Sequence, residues 1–473
     1  MPPRNERLAR AVRESGYSYA ELARRVREIA AENGTATRTN SSAVAHWVAG
    51  TRPARATAGL IAEALSRRLP APVSPASLGL LPDRTGDPDG GPPGDTPGDH
   101  PLDALDGLTG ADLQRTTWAR TVPYSVAAAR LALAAPPADA LPACGASPDR
   151  EAEPPLRPGA AGATEVAAVR DMARLFTAID ERYGGQHGRS ALVRYLRDDV
   201  TPLCRARFRS EEHHRAMLSA AASVVYLAGW KAYDAGEQGL AQRYYLQAYA
   251  LTREAGNDQH TAFVLRVLAH HGMETGRPEH ALDLVDEALR RAGGRSDPAT
   301  ESLYVVTRAR ALAMAGRARE AVAEAARAAR LVEGADEREM PWWAGLWGSP
   351  GACVGNHTAK AAEHLGAFEL AERHFSHAAW SRGGASGGRR RITALSVAHT
   401  GSMQCRQGLV ERACETWTEA LDLMDGVRSA RVRRAVAEMR RDLAPYRNRR
   451  VQAVAELEER IREWSNGTEG AEA

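Results

Sequence analysis

Apolar residues recur at three and four positions along most of this chain. Clear runs of alternating apolar and polar residues are absent, so the pattern predicts an almost entirely helical protein. Over residues 236 to 420 a longer period rides on the helical one. A Gly, an Ala five positions on and a second Ala seven beyond that occur together five times, at Gly236/Ala241/Ala248, Gly276/Ala281/Ala288, Gly316/Ala321/Ala328, Gly366/Ala371/Ala378 and Gly408/Ala413/Ala420. Successive first alanines lie 40, 40, 50 and 42 residues apart, an interval at which helix pairs stack into a solenoid. Each unit reads as helix, turn, helix. The glycine closes the first helix in a left-handed conformation that it adopts without steric cost. The alanines share one face of the second helix, where a small side chain admits a neighbouring helix. Four residues after each first Ala stands Tyr245, Val285, Ala325, Phe375 or Trp417, in most units a large group that fills the space beside it. Twelve residues before each first Ala the first helices carry Gly229, Ala269, Ala309, Ala359 or Gly401.

The first 70 residues carry a different pattern. Leu8, Ala11 and Val12 give the inward face of a helix over about 5–15, and Gly16 and Tyr17 make a turn. Ser18 with Glu21 forms a capping box ahead of Leu22, Ala23, Val26 and Ile29. A polar segment, Glu32 to Thr39, leads to Asn40, a good helix cap, and then Val44, Trp47 and Val48 form an apolar stripe that Gly50 ends. The opposite face of this third helix shows Ser42, Ala45, His46 and Ala49, with Ser41 in its first turn. Leu60, Ile61, Ala64 and Leu65 on a fourth helix close a small core.

Charge sharpens the division. Residues 1–70 hold 12 Arg and 6 Glu, whereas 71–160 hold 6 Arg against 12 Asp plus Glu, so a basic head precedes an acidic neck. That asymmetry suits a head that meets a polyanion. From Pro82 to Pro101 there are 6 Pro, 5 Gly and 5 Asp and no large apolar residue, which predicts a disordered linker. The Ala-rich stretch Trp118 to Pro136 is broken by Arg120 and Arg130 and is read as neither a membrane span nor an export signal. With charges throughout its first 30 residues, the chain is expected in the cytoplasm, with no membrane partner. Lys231 and Lys360 are its only lysines. The five cysteines form no C-x-x-C or Cys/His cluster.

Between neck and repeats, Val166, Val169, Met172, Ala173, Phe176 and Ile179 recur at helical spacing, followed by a polar loop with Gly184 and Gly185. That glycine pair reads as a sharp interhelical turn or an anion cradle; no G-K-[ST] completes a phosphate loop. Catalytic signatures are missing, and His374 and His377, three apart, lack the Glu of an H-E-x-x-H motif. No enzyme, catalytic residue, metal or cofactor is therefore expected. Trp342, Trp343 and Trp347 interrupt the repeat spacing and fit either the core, the preferred reading, or an aromatic anchor for a ligand. After the last repeat, Val432, Val436, Met439 and Leu443, then Val451, Val454, Leu457 and Ile461, suit a polar cap or a dimerisation element.

Three runs resemble the xenobiotic-response-element (Cro/repressor-like) helix-turn-helix family: Gly-Tyr-Ser-Tyr-Ala-Glu-Leu-Ala (16–23), Ser-Ser-Ala-Val-Ala-His-Trp-Val-Ala-Gly-Thr-Arg-Pro (41–53) and Leu-Ile-Ala-Glu-Ala-Leu (60–65). The resemblance implies that Arg38, Thr39, Asn40, Ser41, Ser42, Ala45 and His46 lie nearest the bases of double-stranded DNA, with Arg52 and Arg55 near phosphates. The chain departs from that family between the second and third helices, where about ten residues (30–39) replace a tight turn. Residues 214–425 resemble the tetratricopeptide repeat. The order of head, linker, Asp-Glu-Arg-Tyr-Gly-Gly (180–185), Ala-Gly-Trp-Lys-Ala-Tyr-Asp-Ala-Gly (228–236) and Gly-Leu-Ala-Gln-Arg-Tyr-Tyr (239–245) is similar to actinobacterial tetratricopeptide regulators of differentiation and secondary metabolism.

The expected fold is thus all-α, a small helix-turn-helix domain joined by a disordered linker to a tetratricopeptide-like α-solenoid. Its expected divisions are a head (1–70), a linker with a short Ala-rich helix (71–160), a helical entry region (161–213), repeats (214–425), capping or dimerisation helices (426–466) and a disordered tail (467–473). The resemblance implies a homodimeric transcriptional regulator with a peptide, protein or small-molecule signal in the groove lined by first helices. Arg266, His270, Arg308, His357 and Lys360 are candidates for that groove. The alternative is a cytoplasmic adaptor in which the head is only a packing module.

Overall fold

A computed structural model of the chain describes residues 3–32, 36–69, 72–80, 100–116, 119, 122–134, 161–380, 389–449 and 451–470. Among these residues it is all-helical, with one isolated bridge, Ala161 to Phe208, and no strand. The head comprises α1 (Glu6–Ser15), α2 (Tyr19–Glu32), α3 (Ser41–Val48) and α4 (Arg55–Ser66). Next come α5 (Pro101–Leu113), α6 (Val126–Ala134), α7 (Ala163–Tyr183), α8 (Arg189–Tyr195) and α9 (Thr201–Cys204). Five hairpins follow: α10 (Glu211–Asp234) with α11 (Gln238–Glu254), α12 (Asp258–Glu274) with α13 (Pro278–Ala292), α14 (Pro298–Met314) with α15 (Ala318–Val332), then, after the short α16 (Trp342–Gly345), α17 (Pro350–His364) with α18 (Phe368–Trp380), and α19 (Arg390–Arg406) with α20 (Val410–Met424). The chain closes with α21 (Ala430–Leu443) and α22 (Gln452–Gly470).

Local chemistry accounts for the helix ends. Asn5, Asn40, Asn257, Asp297 and Ser429 each accept a backbone N–H of the following first turn, satisfying donors that a helix leaves unpaired. Ser18 and Glu21 close the capping box reciprocally, at 3.2 and 2.9 Å. The five repeat glycines have φ of 91, 73, 76, 75 and 83°, the left-handed turn that their spacing predicts. All ten repeat alanines are buried.

The chain divides into two compact units, each drawn from three stretches. The first is Met1–Val166, Ser190–Gly229 and Glu237–Gly256; the second is Ala167–Arg189, Trp230–Gly236 and Asn257–Ala473. These boundaries differ from a head, a neck and an uninterrupted set of repeats, because most of α10 and all of α11 belong with the head.

In the first unit much of the expected linker is structured. Leu78 and Leu80 are buried in the head core beside Leu8, Leu22, Val26 and Ile61. Helix α5 buries Leu102, Leu105 and Leu108, and its Asp112 accepts a 2.8 Å hydrogen bond from Tyr244 of α11. The Ala-rich stretch supplies α6, as its composition suggests. Most of the Pro82–Pro101 run, residues 135–160 and the last three residues of the tail lie outside the described residues.

The second unit holds a buried ion cluster. Asp180 on α7 accepts from Arg391 of α19 (2.6 Å) and from Lys231 at the end of α10 (3.3 Å). Asp234 lies 3.3 Å from Arg391 and accepts from Ser429 (2.8 Å) and the Gly185 amide (2.8 Å). The glycine pair therefore makes a turn in which the Gly185 amide meets the protein's own Asp234 carboxylate, while the Gly184 amide donates to the Asp180 carbonyl. A Cβ on Gly185 would sit 2.5 Å from that of Asp234, and one on Gly184 2.3 Å from the Arg428 carbonyl. Burial alone would raise Asp180, but Arg391 and Lys231 hold it below the usual carboxylate range; burial drives Glu181 up and Lys231 down. In the same unit α21 and α22 bury Val432, Val436, Met439, Leu443, Val454, Leu457 and Ile461 in one cluster with Trp417 of α20, so they cap the last hairpin.

Candidate functional site

On the head, α3 turns Val44, Trp47 and Val48 into the core. Ser41, Ser42 and His46 are exposed and Ala45 is half-buried, with Arg38, Asn40 and Arg52 exposed beside them and Arg55 half-buried in the first turn of α4. Thr39 departs from the expected set of outward residues. It is buried, its hydroxyl lies 2.8 Å from that of Thr37, and its carbonyl accepts from Arg27. Arg27 thus holds the end of the connection that leads into α3, while Arg24 and Arg25 pair with Glu28 on a solvated face. The result is a helix face of short polar side chains with guanidinium groups beside it, which permits close approach to a grooved polyanion.

The second place lies within the second unit, around His270 of α12. The His270 ring packs 5.7 Å from Trp230, 5.4 Å from His357 of α17 and 6.2 Å from Tyr233. Trp347 meets Trp230 edge-on at 5.1 Å, and the Arg431 guanidinium of α21 lies over both Trp230 (5.5 Å) and Tyr233 (5.2 Å). Arg266 reaches Thr307 of α14 at 3.2 Å and the Cys353 sulfur at 3.0 Å. Glu274 accepts from Arg310 (2.6 Å) and from the Tyr233 hydroxyl (2.9 Å). Lys360 pairs with Glu363 at 3.2 Å, lies 3.3 Å from His399 Nδ1 and sits over Phe375 at 5.4 Å.

Of the five groove candidates, the structure gathers Arg266, His270, His357 and Lys360 in this neighbourhood. Arg308 is held elsewhere, by Asp286 at 2.7 Å and Glu324 at 3.1 Å. The repeat pattern gave no signal for Tyr233, Glu274, Arg310 or Arg431. Trp230 and Tyr233 stand in the 228–236 run quoted above, where an aromatic pair three apart beside Lys231 was the available sign. Of the three clustered tryptophans, Trp343 is core, stacked on His260 at 4.6 Å, Trp342 lies under Arg170, and Trp347 faces the His270 group.

Burial disfavours the charged form of the histidines in this group. Burial pushes His270 well below its ordinary 6.5, and the charges of Arg310, Arg266 and Arg431 push it further against the pull of Glu274. His357 is lowered by burial, then by Arg310, His270 and Arg266, and burial takes His399 down to about 3. Glu274, which burial would raise, is held well below the carboxylate range by Arg310, the His270 side and Arg431. No group of three or more His, Cys, Asp or Glu among the described residues is placed to hold a metal ion, and no helix among them is long and apolar enough to cross a membrane.

Comparison with known proteins adds one finding. No curated protein matches the chain. A family model described as the SP15 N-terminal domain matches residues 8–81, a span that runs from α1 through Leu78 and Leu80 and so coincides with the head core as folded.

Proposed function

We propose that this chain is a DNA-binding transcriptional regulator whose helical hairpins receive a signal. The observation that carries the reading is the face of α3. Its apolar stripe is buried, and Ser41, Ser42 and His46 are exposed between Arg38 and Arg52 in a segment of strongly basic composition. That arrangement supports insertion of α3 in a major groove, with arginines on flanking phosphates. Binding of a homodimer to paired half-sites would then follow the two-fold logic of such heads, and the hairpins would bias one arrangement over another by differential affinity for a ligand.

The test is fluorescence anisotropy of the full chain against genomic fragments recovered by crosslinking. Affinity should fall steeply with added salt, and Ser42→Glu with His46→Glu should abolish binding while leaving the thermal midpoint unchanged, since both side chains are exposed. Unaltered retention of DNA by that double variant removes α3 as the reading helix.

A second reading, a cytoplasmic adaptor, is favoured by a specific contact. Glu63 of α4 is bonded to Ser125, which is bonded in turn to Gln242 of α11, so the head also serves as a packing module of the first unit. The adaptor reading predicts that the Ser42/His46 double variant keeps every cellular phenotype.

A further inference from the structure

The side chains around His270 present more positive charge and more hydrogen-bond donors than their protein neighbours use. Arg310 is neutralised by Glu274 and Lys360 by Glu363. Arg266 reaches only Thr307 and Cys353, and Arg431 shares Glu274 and Asp234 with Arg310 and Arg391 at longer range, so four guanidinium groups face two carboxylates. Both His270 ring nitrogens, His357 Nδ1, Trp230 Nε1, Arg310 Nε and Arg431 Nη1 are buried without a hydrogen-bond partner. Native proteins leave few such groups unsatisfied, so this concentration of them around one ring marks a place that another molecule completes.

The chemistry selects the occupant. A cation is disfavoured by the arginines that outnumber the carboxylates here, and the aromatic faces that would attract it already carry Arg431. A metal ion lacks a ligand set here. An oxyanion is the ligand whose oxygens accept from donors of the kind left open here, Arg431 Nη1, Trp230 Nε1 and a His270 N–H, and whose charge offsets the arginines. Trp230, Trp347 and Tyr233 offer flat apolar contact next to those donors. Trp230, Trp347, His270 and Arg431 are half-buried, whereas His357, Tyr233 and Arg310 are buried.

We propose that the cluster of Trp230, His270, Arg266, Trp347 and Arg431 is a binding site for a small organic oxyanion, a carboxylate or phosphate ester carried on a flat aromatic body. As the input of a sensor it deepens the regulatory reading and rests on that reading for its consequence, but its binding is measured without DNA.

The experiment titrates the full-length chain with phenylacetate, phenyl phosphate and the neutral isostere phenylacetamide, followed by calorimetry and by tryptophan fluorescence, to which Trp230 and Trp347 contribute. At least one of the two oxyanions is expected to bind about tenfold or more tightly than the amide, about 1.4 kcal/mol, and the ratio between the two identifies which headgroup the site prefers. Arg431→Met and Arg266→Met are expected to weaken that oxyanion at least tenfold, and Arg308→Met, whose guanidinium is held by Asp286 and Glu324 outside the cluster, to leave it unchanged. Arg431→Lys, which keeps the charge and loses the planar fork, takes the place of the methionine variant if that variant does not fold. Millimolar probe without binding, equal affinity for amide and oxyanions, or unchanged affinity in the Arg266 and Arg431 variants overturns the proposal. Oxyanion binding by a chain that holds no genomic fragment keeps the site and removes the regulator; DNA binding with no oxyanion binding does the reverse.

Discussion

The repeat glycines act through two different physical causes. Gly366 has φ of 75° and open space around it, so a Cβ there meets nothing, and Gly366→Ala costs only left-handed strain, about 1 kcal/mol. Gly401, inside α19, has no such constraint, yet its Cβ would lie 2.6 Å from the Trp417 indole nitrogen, which is fixed by a 3.0 Å bond to the Ala398 carbonyl. Gly229 stands to Tyr245 in the same relation, at 2.7 Å. Overpacking of this kind costs about 1–3 kcal/mol, more than the roughly 0.5–1 kcal/mol of helix propensity that alanine adds. Gly401→Ala is therefore expected to lower stability in urea, and Trp417→Leu in the same chain to suppress that loss, whereas the Gly366 effect is additive with Trp417→Leu. Additivity in both cycles would contradict the packing assignment. This much was legible in advance, because a small residue twelve before the first alanine and a large one four after it are spaced by helix geometry. In the third unit Ala325 stands where the others carry a larger residue, and α15 buries only Ala321 and Ala328.

At the level of elements, the helices of the head follow from caps and stripes, while α5 was concealed. Leu102, Leu105 and Leu108 repeat at helical spacing, but Gly107 and Gly110 among them and the Pro/Gly/Asp run before them give the composition of a linker. What holds α6 is a contact that no local pattern encodes. The Glu63 carboxylate, fully buried on α4, accepts from the Ala127 amide (3.2 Å) and the Ser125 hydroxyl (2.9 Å), and Arg67 pairs with its other oxygen at 2.8 Å. A carboxylate at a helix amino terminus satisfies a donor that the helix itself leaves open, and here α4 provides it for α6. Ser125 then exchanges two 2.7 Å bonds with Gln242. Glu63→Ala is expected to open α6 locally by about 1–3 kcal/mol, read as faster amide exchange over residues 127–131, with protection in α2 preserved. Glu63→Gln, which keeps one acceptor, is expected to do less; equal exchange in all three proteins would show that α6 is held by apolar contacts instead.

For the whole molecule, the question is what makes three separated stretches one compact unit. In the second unit the ion cluster draws a member from each: Asp180 from Ala167–Arg189, Lys231 and Asp234 from Trp230–Gly236, and Arg391 and Ser429 from Asn257–Ala473. Sequence reasoning had no access to this, since a charge on a helix does not name a partner some two hundred residues away. The one hint was that the chain's only two lysines stand apart from its arginines, and both prove to lie in interior charge clusters. Arg391 is the keystone, fully buried and held charged by Asp180, Asp234 and Glu181 despite the burial that opposes it. Arg391→Met should therefore cost about 3–5 kcal/mol in urea unfolding, because it strands carboxylates in the interior rather than because the pair itself is strongly favourable. The distinction is measurable. If stranded charge is the cause, adding Asp234→Asn to Arg391→Met restores part of the loss, leaving Asp180 balanced by Lys231 and the asparagine still able to accept from Ser429 or Gly185. If the double variant is less stable than the single one, Asp234 contributes through its own hydrogen bonds more than through charge, and the unit is joined by the Gly185 and Ser429 bonds to Asp234 instead of by Arg391.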